Sequence, residues 1–282
     1  MRVLRSGVLC LLLAVIATAA LVHADAAPLQ TTEIGQGPTI VFVHGLGGSR
    51  TDWLPTVKRL RERFHTVLVD LPGHGGVALP EPFSLESGAE QIDAILARQK
   101  GDSTIIVGQG VGGLLALFAV AAHPEHAAGV MLIDTQMKSP IPVSDQQRDQ
   151  LLRFIDDNYA QFTLMAFSKM GRDSTESARL YAMMSAVPAT TIKGYMRHLL
   201  AVDGNRNLKA VRTPFALVFS ERLWKPGTSW GTVAKSFGYD DTTGAIPHRI
   251  ANAGMQVMKD QPDTLAAVVA DFATRSFAAR KK

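Results

Sequence analysis

The sequence has almost no cysteine. Cys10 is the only cysteine in 282 residues, and it lies in an apolar run near the N-terminus. Without that segment the chain can form no disulfide bond and no thiolate-based catalytic or metal site. No later apolar stretch approaches the roughly 20 residues needed to cross a bilayer. The sequence therefore predicts no stable membrane insertion of the mature chain.

A large excess of charge of one sign is also missing. Without Arg2 and Arg5, the 29 basic and 25 acidic residues leave an excess of only two positive charges. The longest basic cluster is the C-terminal Arg280-Lys281-Lys282. Because nucleic-acid binding needs a basic surface, we expect no nucleic-acid partner. Nothing in the sequence implies a metal or an organic cofactor, and nothing marks a protein-binding surface.

The N-terminus is typical of a signal peptide. Arg2 and Arg5 precede an apolar run over residues 8–22, and the small-residue exit Val22-His23-Ala24 follows. We therefore predict a signal peptide over residues 1–24 and a secreted or periplasmic protein, with a bacterial context favoured because the mature chain lacks cysteine. The remaining 258 of the 282 residues suffice for one large α/β domain.

Short apolar runs alternate with amphipathic segments along most of the chain. This alternation predicts an α/β fold, a mostly parallel sheet covered by helices on both faces. Residues 139–205 contain no convincing strand, so we predict a helical cap inserted between core segments 25–138 and 206–282. The apolar cap side chains either line a pocket or pack the cap onto the core. The predicted strands are 39–43, 66–69, 104–107, 130–133, 215–219 and 249–251, and the predicted core helices are 53–64, 87–99, 111–122 and 263–277.

Three glycine-rich motifs carry a family resemblance. They are His44-Gly45-Leu46-Gly47-Gly48, Asp70-Leu71-Pro72-Gly73-His74 and Gly108-Gln109-Gly110-Val111-Gly112. The chain resembles α/β-hydrolases of the capped esterase and lipase type over about residues 36 to 275. The resemblance makes the third motif the nucleophile elbow, which reads G-x-S-x-G in that family.

The resemblance also shows that the catalytic triad is degenerate. Gly110 stands where the family has its serine, so covalent attack from this position is excluded. Met255 holds the place of the catalytic histidine, and Leu223 aligns with the acid. Glu221 is the only carboxylate near Leu223, and Asp134 at the end of the preceding strand is an alternative acid.

The oxyanion hole survives these changes because backbone N–H groups form it. The resemblance assigns the donors to Leu46 and Val111, with Val111 at the start of a helix. Gln109 either hydrogen-bonds within the pocket or supports the turn. We expect His44 and His74 to orient loop backbone rather than to move protons.

Two functional hypotheses follow. The first is an exported, non-hydrolytic protein that binds a small ester, carboxylate or lipophilic molecule. The alternative is a weak or atypical ester hydrolase that uses the backbone oxyanion hole and a water molecule activated by Glu221, Asp134 or a histidine such as His248. A third possibility, an interaction module that uses its outer surface, has no sequence feature in its support.

Overall fold

The computed structural model describes residues 28–280, except residues 140, 142, 241, 243, 244 and 246. The predicted signal peptide lies outside the described residues. Among the described helices, none is long and apolar enough to span a membrane.

A seven-stranded sheet forms the centre of the molecule. The strand order is β1-β3-β2-β4-β5-β6-β7, and only the pairing of β1 with β3 is antiparallel. The inner strands are continuous apolar runs because both of their faces are covered. In chain order the strands are β1 Thr31–Ile34, β2 Thr39–Val43, β3 His65–Val69, β4 Thr104–Gln109, β5 Gly129–Ile133, β6 Phe215–Ser220 and β7 Pro247–Ile250.

Helices cover both faces of the sheet. Helices α2 and α3 pack on one face, where Val41 and Val43 contribute to the core, and α1, α10 and α11 pack on the other, where Ile40 and Phe42 do so. The predicted fold class is therefore confirmed. The helices outside the cap are α1 Leu54–Leu60, α2 Leu85–Leu96, α3 Val111–Ala122, α8 Asn205–Ala210, α9 Trp230–Phe237, α10 Val257–Asp260 and α11 Pro262–Arg280.

Four helices lie between β5 and α8 in the chain. They are α4 Asp145–Asp157, α5 Tyr159–Phe167, α6 Ser174–Ser185 and α7 Ala189–Leu199. The side chains of Ser144 and Asp173 accept hydrogen bonds at the starts of α4 and α6, which satisfies N–H groups that lack an intrahelical partner. These helices share a small apolar cluster that includes Ile155, Phe167 and Met184. We call them the helical cap.

The cap is fastened to the loop that follows β3. Tyr195 of α7 donates its hydroxyl to Pro72 O at 3.1 Å, and Thr191 donates to Gly73 O at 3.2 Å. Both side chains are fully or almost fully buried. These contacts place α7 beside the loop of His74, one of the motifs that carry the resemblance.

Candidate functional site

The tight turn between β4 and α3 lies at the carboxyl edge of the sheet. Its glycines allow strand and helix to approach closely: a Cβ on Gly108 would lie 2.5 Å from Gly112 O, and one on Gly112 would lie 2.2 Å from His44 O. Gly110 sits at the centre, with φ 54° and ψ −122°. This left-handed conformation is strained for any residue with a side chain. The backbone of a nucleophile elbow is therefore present without a nucleophile.

Space is available where a nucleophile side chain would project. A Cβ built on Gly110 would meet only Gly45 Cα, at an ordinary contact distance of 3.9 Å. Helix α3 begins at Val111, directly after Gly110, and the first N–H groups of a helix have no partner within the helix. A water molecule or a substrate oxygen can therefore occupy the position that a serine hydroxyl would hold.

A cavity of about 180 Å³ opens over this turn. It brings together the three residues aligned with the triad, the two predicted oxyanion donors, Gln109 and the alternative acid Asp134. Glu221 and His248 do not line it. The predicted residues that line it are Leu46, Gln109, Gly110, Val111, Asp134, Leu223 and Met255.

Met255 lies opposite the elbow and is joined to it by Gln109. The side-chain amide of Gln109 donates to Met255 O at 2.5 Å. Of the two roles open for Gln109, the geometry supports the structural one, because this bond ties the elbow to the segment after β7. The thioether of Met255 cannot carry a proton, so no base acts from the family's histidine position.

The residue at the predicted acid position is equally inert. Leu223 donates its backbone N–H to Ser220 O at 3.0 Å, and its side chain packs against the core while lining the cavity. Glu221 accepts from Asn252 N at 3.2 Å and from Arg249 Nη1 at 3.4 Å. Since Glu221 is engaged outside the cavity, it is not placed to activate a water molecule there.

Two carboxylates, Asp52 and Asp134, line the cavity. Asp52 is paired with Lys259 Nζ at 2.6 Å and accepts from Ser49 N at 2.9 Å, so Asp134 is the one available as a base. Gln109 of β4 pairs with Ile133 of β5, and Gly110 N donates to Ile133 O at 2.9 Å. Gly110 and Asp134 therefore follow adjacent parallel strands, whose axes lie about 4.8 Å apart. Asp134 itself has a left-handed backbone with φ 45°. Strain of this kind persists where the surrounding structure holds it in place, commonly at functional sites.

The environment of Asp134 makes it an unusually basic carboxylate. Its Oδ1 accepts from Ser220 N at 2.7 Å, and its own N–H donates to Val218 O at 2.9 Å. Burial raises the pKa of Asp134 to about 6, and the hydrogen bonds from Ser220 and the charge of Arg222 limit the rise. Part of its surface remains open to the cavity. A carboxylate with this pKa is roughly nine-tenths ionised at pH 7 and can accept a proton.

The two loop histidines hold backbone, as the sequence predicts. Nε2 of His44 accepts from Leu71 N at 3.1 Å while Nδ1 donates to Gly45 O at 2.7 Å. Nε2 of His74 accepts from Gly47 N at 3.1 Å while Nδ1 donates to Pro72 O at 3.0 Å. Burial and the neighbouring His44 lower the pKa of His74 to about 4. Both nitrogens of each ring are engaged in hydrogen bonds to backbone, so neither ring is free to move a proton.

His248 lies at a different place in the fold. It is on β7 opposite Val218 and lines a separate cavity with Phe272 and Arg275 of α11. Helix α11 packs on the face of the sheet opposite to α3. Rescue of the missing base by His248 is therefore excluded by geometry.

The polar residues Arg222 and Gln256 line the cavity and escaped the sequence analysis, whereas Met170 and Met183 belong to the apolar cap set considered there as a pocket lining. Arg222 donates its Nε to Met170 O at 3.1 Å, and Met170, Met183 and Leu199 form the cap side of the cavity. Gln256 is 4% exposed, and its Oε1 has no hydrogen-bond partner within the described part of the chain. Arg222 and Gln256 each neighbour a residue already aligned with the triad, which is the signal that could have identified them.

Sequence comparison connects the chain with known hydrolases. The model of an alpha/beta hydrolase family matches residues 40–272. A pimeloyl-[acyl-carrier protein] methyl ester esterase from Pseudoalteromonas atlantica is 32% identical over 39% of this chain and 42% of its own length. An esterase of the same name from Edwardsiella ictaluri is 30% identical over 54% of this chain and 62% of its own. The chain thus spans about half the length of the curated relatives it matches.

Structural comparison supports the fold. A thermophilic esterase from Thermogutta terrifontis, solved with malate bound, superposes with a TM-score of 0.71. The match covers 90% of this chain and 97% of the esterase, at 17% sequence identity. At this identity the likeness establishes the fold alone.

These findings correct one expectation. The prediction of a non-hydrolytic binding protein is wrong, because the curated relatives carry esterase names. The missing serine and histidine misled the prediction, since they exclude one catalytic route and not ester hydrolysis as such. The names of the relatives support the alternative, an ester-type hydrolase.

Proposed function

Because the chain belongs to the alpha/beta hydrolase family, we propose that it hydrolyses carboxylic esters by direct attack of a water molecule. The observation that carries this proposal is the placement of Asp134. A carboxylate whose pKa is raised to about 6 directly follows the strand next to that of the elbow and lines the same cavity as Gly110. The space left by the missing serine side chain holds the attacking water.

The reaction needs one proton acceptor and one site for negative charge. Asp134 takes a proton from the water molecule while the oxygen of that water bonds to the carbonyl carbon of the ester. The developing oxyanion accepts hydrogen bonds from the backbone N–H groups of Leu46 and Val111. When the C–O bond to the alcohol breaks, protonated Asp134 returns its proton to the leaving oxygen, so that ester and water give acid and alcohol.

The rate contributions expected of the base and of the oxyanion hole predict the turnover of this site. A positioned general base contributes roughly 10² to 10⁴ in rate. An oxyanion-hole donor contributes about 10² to 10³. Without a covalent intermediate, we expect turnover below that of a complete triad but clearly above the uncatalysed reaction.

The cavity favours small esters. Its volume of about 180 Å³ is below the roughly 300 to 1,000 Å³ common for ligand pockets. Met170, Met183 and Leu199 provide an apolar wall on the cap side, suited to a short acyl chain. The N-terminal sequence supports a secreted or periplasmic location for this reaction, which stays a prediction.

The first test is hydrolysis of p-nitrophenyl esters from acetate to octanoate by the chain from Asp25 onward. We expect saturable turnover that falls with acyl length and rises with pH through about 6, as Asp134 loses its proton. Asp134→Asn should lower kcat by about a hundredfold or more. The matched control is Glu221→Gln, which removes a nearby carboxylate outside the cavity and should retain turnover.

Two results would contradict the proposal. Rates of the wild-type chain that match buffer and do not saturate would exclude ester hydrolysis of this class. Full turnover by Asp134→Asn, with an unchanged pH profile, would exclude Asp134 as the base.

A further inference from the structure

A cluster of imidazole and carboxylate groups lies outside the catalytic cavity. Asp93 of α2, His123 at the end of α3 and His126 of the following 3-10 turn each offer a ligand atom, and these atoms lie within 4.8 Å of one another. We propose that this cluster is a binding site for a divalent transition-metal ion such as Zn²⁺. Two imidazole nitrogens and a carboxylate are donors that Zn²⁺ takes readily.

The separations within the cluster suit a metal centre. Nδ1 of His126 lies 2.7 Å from Asp93 Oδ1, and Nε2 of His123 lies 3.8 Å from Asp93 Oδ2. Donors at about 2.0 Å from a tetrahedral Zn²⁺ stand about 3.3 Å apart, between these two values. Each carboxylate oxygen thus faces one imidazole nitrogen. Small side-chain rotations are enough to bring the three donors around one ion.

Glu125 completes the arrangement from the other side of the rings. Its Oε1 lies 3.4 Å from Nδ1 of His123 and 3.8 Å from Nε2 of His126. These are the nitrogens that do not face Asp93. Metal-bound histidines usually donate their second ring N–H to a carboxylate, which fixes the tautomer and the ring orientation. Glu125 is within hydrogen-bond distance of the His123 ring, and a small side-chain rotation would bring it to the His126 ring as well.

The sequence spacing explains why the rings converge. His123 and His126 are separated by Pro124 and Glu125 in a tight 3-10 turn, which brings residues three apart onto the same side. The two rings are nearly parallel, with an interplanar angle of 17° and centroids 5.2 Å apart. Asp93 comes from another helix, so a bound metal would fasten α2 to the end of α3.

The surroundings favour a cation and leave room for further ligands. Side-chain exposures of 15% for Asp93, 26% for His126 and 49% for His123 give an ion access from solvent. A cavity of about 300 Å³ adjoins the cluster and is also lined by Glu86 and Glu90. These two carboxylates attract a cation, and the cavity can hold the water that completes its coordination.

The cluster is separate from the ester site. Helix α3 begins at the elbow and runs for 12 residues to the cluster, a distance of about 18 Å along the helix axis. A metal here does not touch the reacting ester. Its expected effect is on the stability of the chain, so the test needs no measurement of hydrolysis.

The experiment is a Zn²⁺ titration of the tag-free chain by isothermal calorimetry at pH 7.5, together with thermal unfolding. We expect one ion per chain and a Tm raised by about 5 °C or more at saturating Zn²⁺. His123→Ala should weaken binding at least tenfold, and Glu125→Gln should weaken it about tenfold through the rings it orients. His123 is half-exposed, so its loss should leave the fold intact.

The matched control is His65→Ala. His65 also contacts one carboxylate, Glu33 Oε2 at 3.1 Å, but belongs to no cluster of three potential metal ligands among the described residues. We expect this variant to bind Zn²⁺ as the wild type does. The absence of saturable binding up to 1 mM (about −4 kcal/mol), or unchanged binding by both His123→Ala and His126→Ala, would overturn the proposal.

Discussion

Gly110 combines free space with a backbone that only glycine adopts easily. A Cβ here meets nothing closer than 3.9 Å, so sterics alone would permit alanine or serine. The left-handed φ of 54° nevertheless penalises any side chain by about 1 to 3 kcal/mol. The glycine that removes the nucleophile also relieves the strain that a serine would have to bear.

The cost of backbone strain at position 110, where a Cβ meets no steric obstacle, can be measured. Gly110→Ala should lower the free energy of unfolding by about 1 to 3 kcal/mol in urea denaturation. The control is Gly231→Ala in α9, where a Cβ would meet nothing within 4 Å and φ is not positive. There alanine should be neutral or stabilise by up to about 1 kcal/mol. Equal effects of the two substitutions would show that the elbow is not strained.

At the scale of secondary-structure elements, Arg172 connects the cap to the segment after β7. Its guanidinium donates to Glu176 Oε2 at 2.8 Å, to Asp260 Oδ1 at 2.8 Å and to Asn252 O at 3.0 Å. Glu176 is 5% exposed, so it depends on Arg172 for its neutralisation. One side chain thus joins α6, α10 and the end of β7.

Removal of this link should loosen the cap. Arg172→Ala leaves the buried Glu176 carboxylate without its cation and should cost about 2 kcal/mol of unfolding free energy. Hydrogen exchange of the α6 amides should accelerate. The control is Arg148→Ala, which removes an exposed pair with Asp145 and should cost less than about 0.5 kcal/mol. Unchanged α6 exchange in Arg172→Ala would contradict the role of this link.

The elements differ in how well the sequence predicts them. Strands β2, β4, β5 and β6 were predicted to within two residues because they are apolar runs buried on both faces. Strand β1 was missed because it is a short, partly exposed edge strand with the sequence Thr-Thr-Glu-Ile. Strand β7 was predicted two residues late because it begins with proline and carries His248 and Arg249.

The candidate site was predicted in position but not in chemistry. The resemblance to α/β-hydrolases aligned Gly110, Met255 and Leu223 with the triad, and all three line one cavity in the structure. The raised pKa of Asp134 depends on burial, which no local pattern of sequence encodes. The histidine cluster was missed for a related reason, because Asp93 reaches His126 only through the packing of α2 against the end of α3.

At the scale of the whole molecule, the titrations of two buried groups, His74 and Asp134, change the free energy of unfolding in opposite directions in acid. The folded pKa of His74, about 4, lies below its usual 6.5, so its contribution to stability is lost as pH falls from 6.5 to 4. The folded pKa of Asp134, about 6, lies above its usual 3.8, so its contribution is present in acid and is lost as pH rises through 6. Each pKa shift corresponds to about 3 kcal/mol of unfolding free energy. Because the two contributions change in opposite directions with pH, they largely cancel.

The variant Asp134→Asn should separate the contributions of His74 and Asp134 to stability. Asparagine has no charge to bury, so the variant should exceed the wild type in unfolding free energy by about 3 kcal/mol at pH 8. The difference should shrink to less than about 1 kcal/mol near pH 4, where Asp134 is protonated in the folded chain and partly ionised in the unfolded chain. Urea denaturation at pH 4, 5.5 and 8 measures this. A difference that stays constant across these pH values would mean that burial does not raise the pKa of Asp134.

In the proposed reaction, the glycine at the elbow also determines which molecule accepts the acyl group of the ester. A serine hydrolase stores the acyl group on its hydroxyl and can pass it to an alcohol or an amine in place of water. With Gly110 at this position, the proposed reaction has no stored acyl group, and water in the cavity is the acceptor from the start. Reagents that trap an active-site serine covalently would leave this chain unlabelled while it still turned over esters.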